Sequence, residues 1–442
     1  MSIIPQVTQA MQTLLTTTTE VTAAALQYVK RPDRAKFTPS TLVQTLVYGW
    51  LAHPAATVTQ LAQMASRVGV DIAPQALDQR FTMTTATLLQ QVLAASIQHR
   101  IAADPVAIPI LQRFTSVRVH DSTTISLPDA LTSTWRGCGN DTDRGTAGLK
   151  CGVQIDLLTG VLCGVDLVAG RTSDHTLPVQ HLPLPAGSLR LADLGFYNLD
   201  VLAQIHAAGG YWLSRVQSNT LVAYPGGKPQ PLITVLHDLG SMPSWDANVI
   251  IGGHTTIHAR LLVRRVPKEV ADQRRRRVQE TAKSKGQSMS KAALALADWN
   301  VAITNVPRRL LSLAEALVLM RIRWQIELLF KLWKSHGQVD EWRTTNPARI
   351  LCEVYAKLIG LVFQQWILAA SSWADPERSL FKAATMVMSA AAELASAMPC
   401  AAQVERVLTS LARMIQRLAR TNKRHNPPTT AQRILAVEVL AK

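Results

Sequence analysis

The stretch RIRWQIELLFKLWKSHG, residues 321–337, sets charge into an otherwise apolar segment. Arg323, Glu327, Lys331 and Lys334 stand at offsets of zero, four, eight and eleven. At 3.6 residues per turn those four side chains line one face of a single helix. Trp324, Leu328, Leu329 and Leu332 fall on its other faces, so the helix packs against something. The plain reading is a solvated ladder in which each pair contributes about 0.2–0.5 kcal/mol. The sharper reading makes Glu327 a functional carboxylate among cations that hold an anion. The other acids of the chain decide between the two.

Two of them stand where acids are costly. Asp121 lies inside VRVHDSTTISL, and Asp193 closes the apolar strand LRLADLGFY. Strand ends disfavour Asp, and a cap or Asx-turn at the strand exit is the ordinary compensation. Two Asp from neighbouring strands and one Glu from a helix packed on that sheet can instead converge on hard cations. Oxygen-only ligands suit Mg²⁺ or Mn²⁺. Two such ions, about 3.5–4 Å apart, activate an attacking oxygen and stabilise a leaving one in phosphoryl transfer. Arg323, Lys331 and Lys334 would then hold the phosphates of a strand laid over the metals.

The charge of the whole chain agrees with a polyanionic partner. Its 442 residues carry 46 Lys and Arg against 30 Asp and Glu, a net charge of +16. Residues 260–295 hold 11 of the bases with only Glu269, Asp272 and Glu280 as acids, which is half of that net charge. Residues 376–442 add 10 bases against 4 acids. Nucleic acid fits, because Lys and Arg contacts to phosphate dominate that kind of affinity; an anionic membrane surface is the competing explanation. A hydrophobic content of 48% with 17% charged residues describes a globular chain, long enough for two to four structural units. The five cysteines, Cys138, Cys151, Cys163, Cys352 and Cys400, are scattered without a CxxC pair, so neither a zinc site nor a disulfide framework is indicated and a reducing compartment fits. No base precedes Lys30, and no signal peptide is visible. The apolar run LIGLVFQQWILAASSWA, 358–374, is interrupted by Gln364, Gln365, Ser371 and Ser372, which favours a core helix over a membrane span.

Along the chain, residues 1–105 read as helical, and TVTQLAQMASRVGVDIAPQALDQRFT, 57–82, resembles a helix-turn-helix whose second helix carries Arg80. From 106 to 216 the pattern turns to strands: SVRVHDSTTISL alternates, CGVQIDLLTGVLCGVDLVAG reads as a hairpin turning at Thr159-Gly160, and a helix and a strand follow SLRLADLGFY. Residues 217–300 read as a β-rich basic insertion with turns at YPGGKP and IGGH. The run from Arg274 to Arg277, with Lys283 and Lys285, reads as a phosphate-binding surface; a solvated charged helix is its plain alternative. The strand WNVAITNVP returns the chain to the sheet, the long helix with Glu327 begins near Ser312, and 301–375 completes the core. Two further helices, near 379–397 and 401–420, belong to a terminal region, 376–442, for DNA binding or dimerisation. The class is α/β, a mixed sheet flanked by helices with helical ends.

At this point a resemblance becomes specific. The order Asp, Asp, Glu, with Arg four before the Glu and Lys seven after it, resembles the DDE transposases of bacterial insertion sequences. The likeness is to the family-four group with its Tyr-Arg-Glu-Lys signature. DSTTI around the first Asp, LADLGFY around the second, and RIRWQIELLFKLWKS around the Glu carry it, over roughly residues 70–370. The resemblance implies a ribonuclease-H-like core interrupted before the Glu helix by a β-rich insertion. It implies Asp121, Asp193 and Glu327 as ligands of two Mg²⁺ ions, for which Mn²⁺ substitutes. Arg323, Lys331 and Lys334 would contact transposon-end DNA, and Trp299, at the start of the strand entering the Glu helix, would stack on a flipped base. A core tryptophan is the plain alternative for Trp299. The partners implied are double-stranded DNA at the element's ends and at the target, and a second copy of the chain, in a bacterial cytoplasm beside the nucleoid. One departure stands out: the family's tyrosine, three before the Arg, is Met320, which cannot donate a hydrogen bond to phosphate.

Lesser candidates are Lys150 for DNA, His120 and His336 beside the ligands, and Asp174 with His175 as a helix cap. Asp156 and Asp166 lie in the hairpin without partners suited to a metal site. The resulting expectation is a transposase that cuts at an element's end to free a 3′-hydroxyl, which then attacks target DNA. A transposase-derived binding protein that no longer cuts and a metal-dependent nuclease without strand transfer are the rivals.

Overall fold

The computed structural model describes residues 3–28, 36–138, 146–253, 255–284, 286, 288, 291–323 and 325–421. Helices α1 (Ile4–Thr13), α2 (Thr19–Ala25), α3 (Pro39–Ala52), α4 (Val58–Arg67), α5 (Pro74–Asp78), α6 (Met83–Gln98) and α7 (Pro109–Gln112) come first. Strands β1 (Val117–Leu127), β2 (Ala147–Asp156), β3 (Leu162–Ala169) and β4 (Leu189–Ala192) follow, then α8 (Leu199–Ala207) and β5 (Tyr211–Ser214). Next come β6 (Leu221–Ala223), β7 (Gln230–Pro231), α9 (Leu232–Asp238), β8 (Ser244–Ile251), β9 (Ile257–Arg265), α10 (Lys268–Ser284), α11 (Lys291–Leu296) and β10 (Trp299–Thr304). The chain then runs through α12 (Leu313–Ile322), α13 (Gln325–Ser335), α14 (Pro347–Ser371), α15 (Leu380–Ala397) and α16 (Ala401–Leu418). These elements fall into two compact units, residues 3–107, 122–173 and 325–421 in one, and 108–121 and 174–323 in the other.

The first unit is built on α14. Asn346 caps it through the amides of Ala348 and Arg349, Pro347 opens it, and 21 of its 25 residues are buried. A helix apolar on all sides belongs at the centre of a bundle, and each buried Leu or Ile contributes about 1.5–3 kcal/mol. Helices α1, α3, α6, α15 and α16 pack on it. Gly360 lets α14 approach Leu51 of α3, and the Tyr48 hydroxyl donates to Met398 Sδ at 2.9 Å. The buried charges Lys357 and Glu353 of α14 are paired: Lys357 binds Glu353 at 2.7 Å and donates to the carbonyls of Gln338 and Glu341. This is the one helix among the described residues long and apolar enough to cross a membrane, and it is buried in the protein, as expected for 358–374. The N-terminal and C-terminal helices, read separately from the sequence, therefore share one core with α14. The same unit holds the β2–β3 hairpin, whose turn contains Gly160 at φ 75°, where a Cβ would meet the Trp373 ring.

The segment read as a helix-turn-helix has a short second helix. Residues 58–67 form α4, capped by Thr57 and Gln60, but the second helix, α5, has five residues. That is too short to lie along a groove as a recognition helix does. Arg80 is exposed beyond its end.

The second unit is a mixed sheet in the order β1-β4-β5-β10-β9-β8-β6-β7. β1, β4 and β5 run parallel, with His120 opposite Ala192 and Ala192 opposite Ser214. β10 pairs antiparallel with β5 and with β9, and β8 continues from β9. The segment 217–300 is thus no separate β body: its strands extend the central sheet, and α8 and α9 cover one apolar cluster with it, around Trp212, Leu236, Leu261 and Trp299. Gly252 makes the β8–β9 turn at φ 110°, where a Cβ would collide with the Thr255 carbonyl. The architecture is the mixed α/β, ribonuclease-H-like class expected from the sequence.

One further correction concerns the opening stretch. Ser312 and Glu315 form the capping box that starts α12, near where the sequence placed a helix start, but α12 ends with Arg323 as its C-cap, and α13 begins at Gln325. Trp324 lies outside the described residues. The single long helix expected from Ser312 is thus two helices, α12 and α13.

Candidate active site

Parallel pairing of β1 with β4 sets Val117–His120 beside Leu189–Ala192. The next residue in each segment is an aspartate, so Asp121, inside β1, and Asp193, just past β4, emerge side by side where the parallel pairing stops. Two carboxylates so placed repel unless a cation intervenes. Arg323 supplies it: its guanidinium lies 3.2 Å from Asp121 Oδ2 and 3.4 Å from Asp193 Oδ2. The Arg323 side chain is only 8% exposed. It joins the two aspartates. A residue at a helix C-cap is free to turn aside from the helix face, and the paired negative charges draw it inward.

Beneath the pair lies a buried polar node that the sequence reading missed. Arg190, alternating with Leu189 and Leu191 along β4, points to the opposite face and is 1% exposed. It donates to His120 Nε2 at 2.8 Å, to Gln180 Oε1 at 2.9 Å and to the Phe196 carbonyl at 3.3 Å. Burial lowers its pKa to about 9. Burial, reinforced by Arg190 and Arg323, likewise holds His120 well below its ordinary pKa, so its ring is neutral. The ring packs edge-on against Phe196 at 4.6 Å. These bonds tie together the end of β1, β4 and the 3₁₀ turn Leu194–Phe196 that follows Asp193. An arginine inside LRLAD was the available signal.

Glu327 belongs to the other unit, half-buried in the first turn of α13. A carboxylate there interacts favourably with the helix dipole. Ile326, Leu329, Phe330, Leu332 and Trp333 bury the opposite side. Lys331 is exposed. Lys334 donates to the Thr124 carbonyl at 3.0 Å and lies 3.7 Å from Asp340, so part of its charge is spent within the unit.

The basic run divides. Arg274 donates to the Trp299 carbonyl at 3.0 Å and to Asn300 Oδ1 at 2.7 Å. Arg275 reaches Asp272 at 2.6 Å and Asp298 at 2.5 Å, and these partners raise its pKa. Arg276, Arg277 and Lys283 are exposed on α10; Lys285 lies outside the described residues. Trp299 lies in the core, the plain alternative for it. It is 7% exposed, packs in the cluster around Trp212, and carries the Arg265 guanidinium over its ring at 4.3 Å. A ring so covered has no face left for a base. The lesser candidates are ordinary: Lys150 donates to the Thr172 carbonyl, Asp156 caps the hairpin turn through Leu158 and Thr159, Asp174 and His175 sit in a single 3₁₀ turn, and His336 packs against Phe381.

The donor chemistry at the strand ends suits a hard divalent cation. Both donors are carboxylates, and Asp193 Oδ1 is shielded from solvent and accepts no hydrogen bond, with Arg215 3.8 Å away. Among the described residues no group of three His, Cys, Asp or Glu side chains is gathered closely enough to hold a metal by itself. Asp121 and Asp193 form the pair, balanced by Arg323.

A ribonuclease-H-like sheet with paired carboxylates beside it is suited to phosphoryl transfer with divalent ions. Residues 112–363 match the family of the transposase DDE domain, more than half of the chain, and the chain belongs to that family. It is 26% identical over 441 residues to the transposase for insertion sequence element IS231F of Bacillus thuringiensis subsp. israelensis, covering 93% of this chain and 90% of that protein. Identity to the transposase for IS231E of subsp. finitimus is 26%, covering 77% and 74%. The transposase for IS1151 of Clostridium perfringens is 23% identical, covering 70% of each chain. The protein is a DNA transposase, an enzyme of DNA cleavage and strand transfer. Domains of this family work with divalent metal ions.

Proposed function

We propose that this chain moves an insertion sequence, binding the element's terminal repeats, cutting there and joining the freed ends to target DNA. The observation that carries the reading is the aspartate pair where the parallel pairing of β1 with β4 stops, bridged by one arginine. Asp121, Asp193 and Glu327 are the carboxylates that would hold two Mg²⁺ ions, with Mn²⁺ able to substitute. Bound there, the ions would lower the cost of making an attacking oxygen and a leaving one.

The chain's own residues prepare that chemistry. Arg190 fixes the strand ends, and neutral His120 accepts its hydrogen bond without adding charge. Arg323 keeps the two aspartates together. Lys331, with Arg276, Arg277 and Lys283 on α10, offers exposed cations to the DNA backbone, which positions the scissile phosphate rather than reading its sequence. A second copy of the chain would hold the other element end. Met320, in place of the signature tyrosine, removes one hydrogen-bond donor from the end-binding surface and leaves the carboxylates intact, so end binding weakens before cutting does.

The test is cleavage and strand transfer on DNA carrying the element's own ends, comparing the wild type with Glu327→Gln in Mg²⁺. The wild type cuts and joins, and the variant binds with similar affinity but loses at least about a thousandfold in rate. A wild type that binds ends yet never cuts in Mg²⁺ or Mn²⁺ makes the chain a binding protein. Cutting of random and terminal DNA alike, without joining, makes it a nuclease.

A further inference from the structure

Helix α16 has one strongly apolar side and one cationic side. Val404, Val407, Leu408, Leu411, Ala412 and Ile415 are buried against the bundle. On the opposite side Arg406, Ser410, Arg413 and Arg417 follow one another at spacings of four, three and four residues, all exposed. Such spacing keeps them in one stripe along the helix. At about 1.5 Å per residue, Arg413 and Arg417 lie roughly 6 Å apart along the axis, close to the separation of successive phosphates on one strand. Arg406, Arg413 and Arg417 enter no ion pair among the described residues, whereas Arg420, just beyond the helix, lies 3.5 Å from Asp375. Glu405 is the only acid on the helix, and it is half-buried. A shallow depression between Ser410, Arg413, Met414, Arg417 and Leu418 gives the stripe relief.

We propose that the Arg406–Arg413–Arg417 stripe of α16 is a second DNA-binding surface, gripping the sugar-phosphate backbone of duplex DNA without reading its sequence. Charge complementarity carries the choice of partner. Three unneutralised guanidiniums in a row repel one another, and the cost is relieved by a polyanion whose phosphates repeat along a line. A second copy of this chain would bring another cationic stripe against this one. The surface rests on the reading of the chain as a transposase, because that reading supplies the DNA, but its contacts are separate from the carboxylates and from α10.

The experiment measures binding of the full-length protein to a fluorescent 40-base-pair duplex of unrelated sequence over a series of KCl concentrations. Wild type is compared with the triple variant Arg406→Gln/Arg413→Gln/Arg417→Gln, and with the triple Arg→Lys variant as a charge-retaining control. Each phosphate contact contributes about one unit to the slope of log affinity against log salt. The triple Gln variant loses about three units of slope and more than tenfold in affinity at 50 mM salt, while the Lys variant stays near wild type. All three melt at the same temperature, because the stripe is exposed. An unchanged slope in the Gln variant overturns the surface. An unchanged slope together with a dimer-to-monomer shift in sedimentation makes it a protein interface instead. Loss of cutting in Glu327→Gln with the wild-type salt slope retained tests the catalytic reading independently, so the two can fail apart. Should the triple variant not fold, Arg413→Glu alone gives the same decision through a slope lower by about one unit or more.

Discussion

The strand ends around Asp121 and Asp193 and the helix α10 use arginine in opposite ways. At the strand ends, Arg323 and Arg190 are buried; one bridges a carboxylate pair, and the other holds backbone and side-chain acceptors in register. Along α10, four consecutive arginines split into two that are tied to neighbouring elements and two that face solvent. A guanidinium always carries its charge and five donors in a rigid fork. Whether it meets phosphate or protein depends on which acceptors the fold brings within reach. In the first region the partners come from β1 and β4, far from Arg323 in sequence. In the second, a 3.6-residue repeat turns successive arginines to different sides of one helix.

The largest effect that tests this contrast is on Trp299, the residue whose carbonyl anchors Arg274. With its ring in the core and under Arg265, Trp299→Ala leaves a cavity and lowers stability by about 3–5 kcal/mol. DNA affinity per folded molecule stays the same, read from urea melts and from anisotropy on the folded fraction. A variant of near wild-type stability that loses DNA affinity would restore the base-stacking role and blur the line between the two sides of α10.

The strand ends come next. Arg323→Gln leaves two adjacent carboxylates without their shared cation. Breaking a buried pair costs about 3–5 kcal/mol, and because the aspartate side chains are 21% and 35% exposed, solvent screening reduces this to about 2 kcal/mol here. Millimolar Mg²⁺ then raises the melting temperature of the variant more than that of the wild type, since a divalent ion does part of what the guanidinium did. Thermal melts with Mg²⁺ and with EDTA decide this. If Mg²⁺ stabilises neither protein, the aspartate pair does not bind the metal, and the strand ends would be a structural salt bridge like that between Arg260 and Asp246.

Much of this was legible in the sequence, and the omissions share one cause. Alternation in VRVHDSTTISL and the turn at Thr159-Gly160 located β1 and the hairpin, because a period of two and a left-handed glycine are local properties. The start of a helix near Ser312 was likewise local, and the structure shows the capping box that makes it so. Helical periodicity then carried one pattern through residues 321–337, where no Pro or Gly marks the boundary between α12 and α13, and the aspartates that Arg323 meets lie far earlier in the chain. The partners of Trp299 and Arg274 were illegible for the same reason: they come from pairing of β10 with β9 and from the packing of α10, neither of which is written in RRRR or in WNVAIT. Residues 57–82 show the converse, where the turn chemistry was plain and the length of the second helix was not.

The smallest effect is also the most discriminating within a single helix. Arg274→Gln removes hydrogen bonds to a backbone carbonyl and to Asn300, at a cost of about 1 kcal/mol, and leaves the salt dependence of DNA binding unchanged. The pair Arg276→Gln/Arg277→Gln does the reverse: the melting temperature holds, and the salt slope falls by about two units. The opposite signs matter more than the sizes, because a uniformly solvated charged helix would show a small stability change and no change of slope in either variant. If Arg274→Gln lowers the slope as much as the outer pair, then its bonds to β10 open when DNA binds. The inward side of α10 would in that case be a reserve of charge rather than a fixture of the sheet.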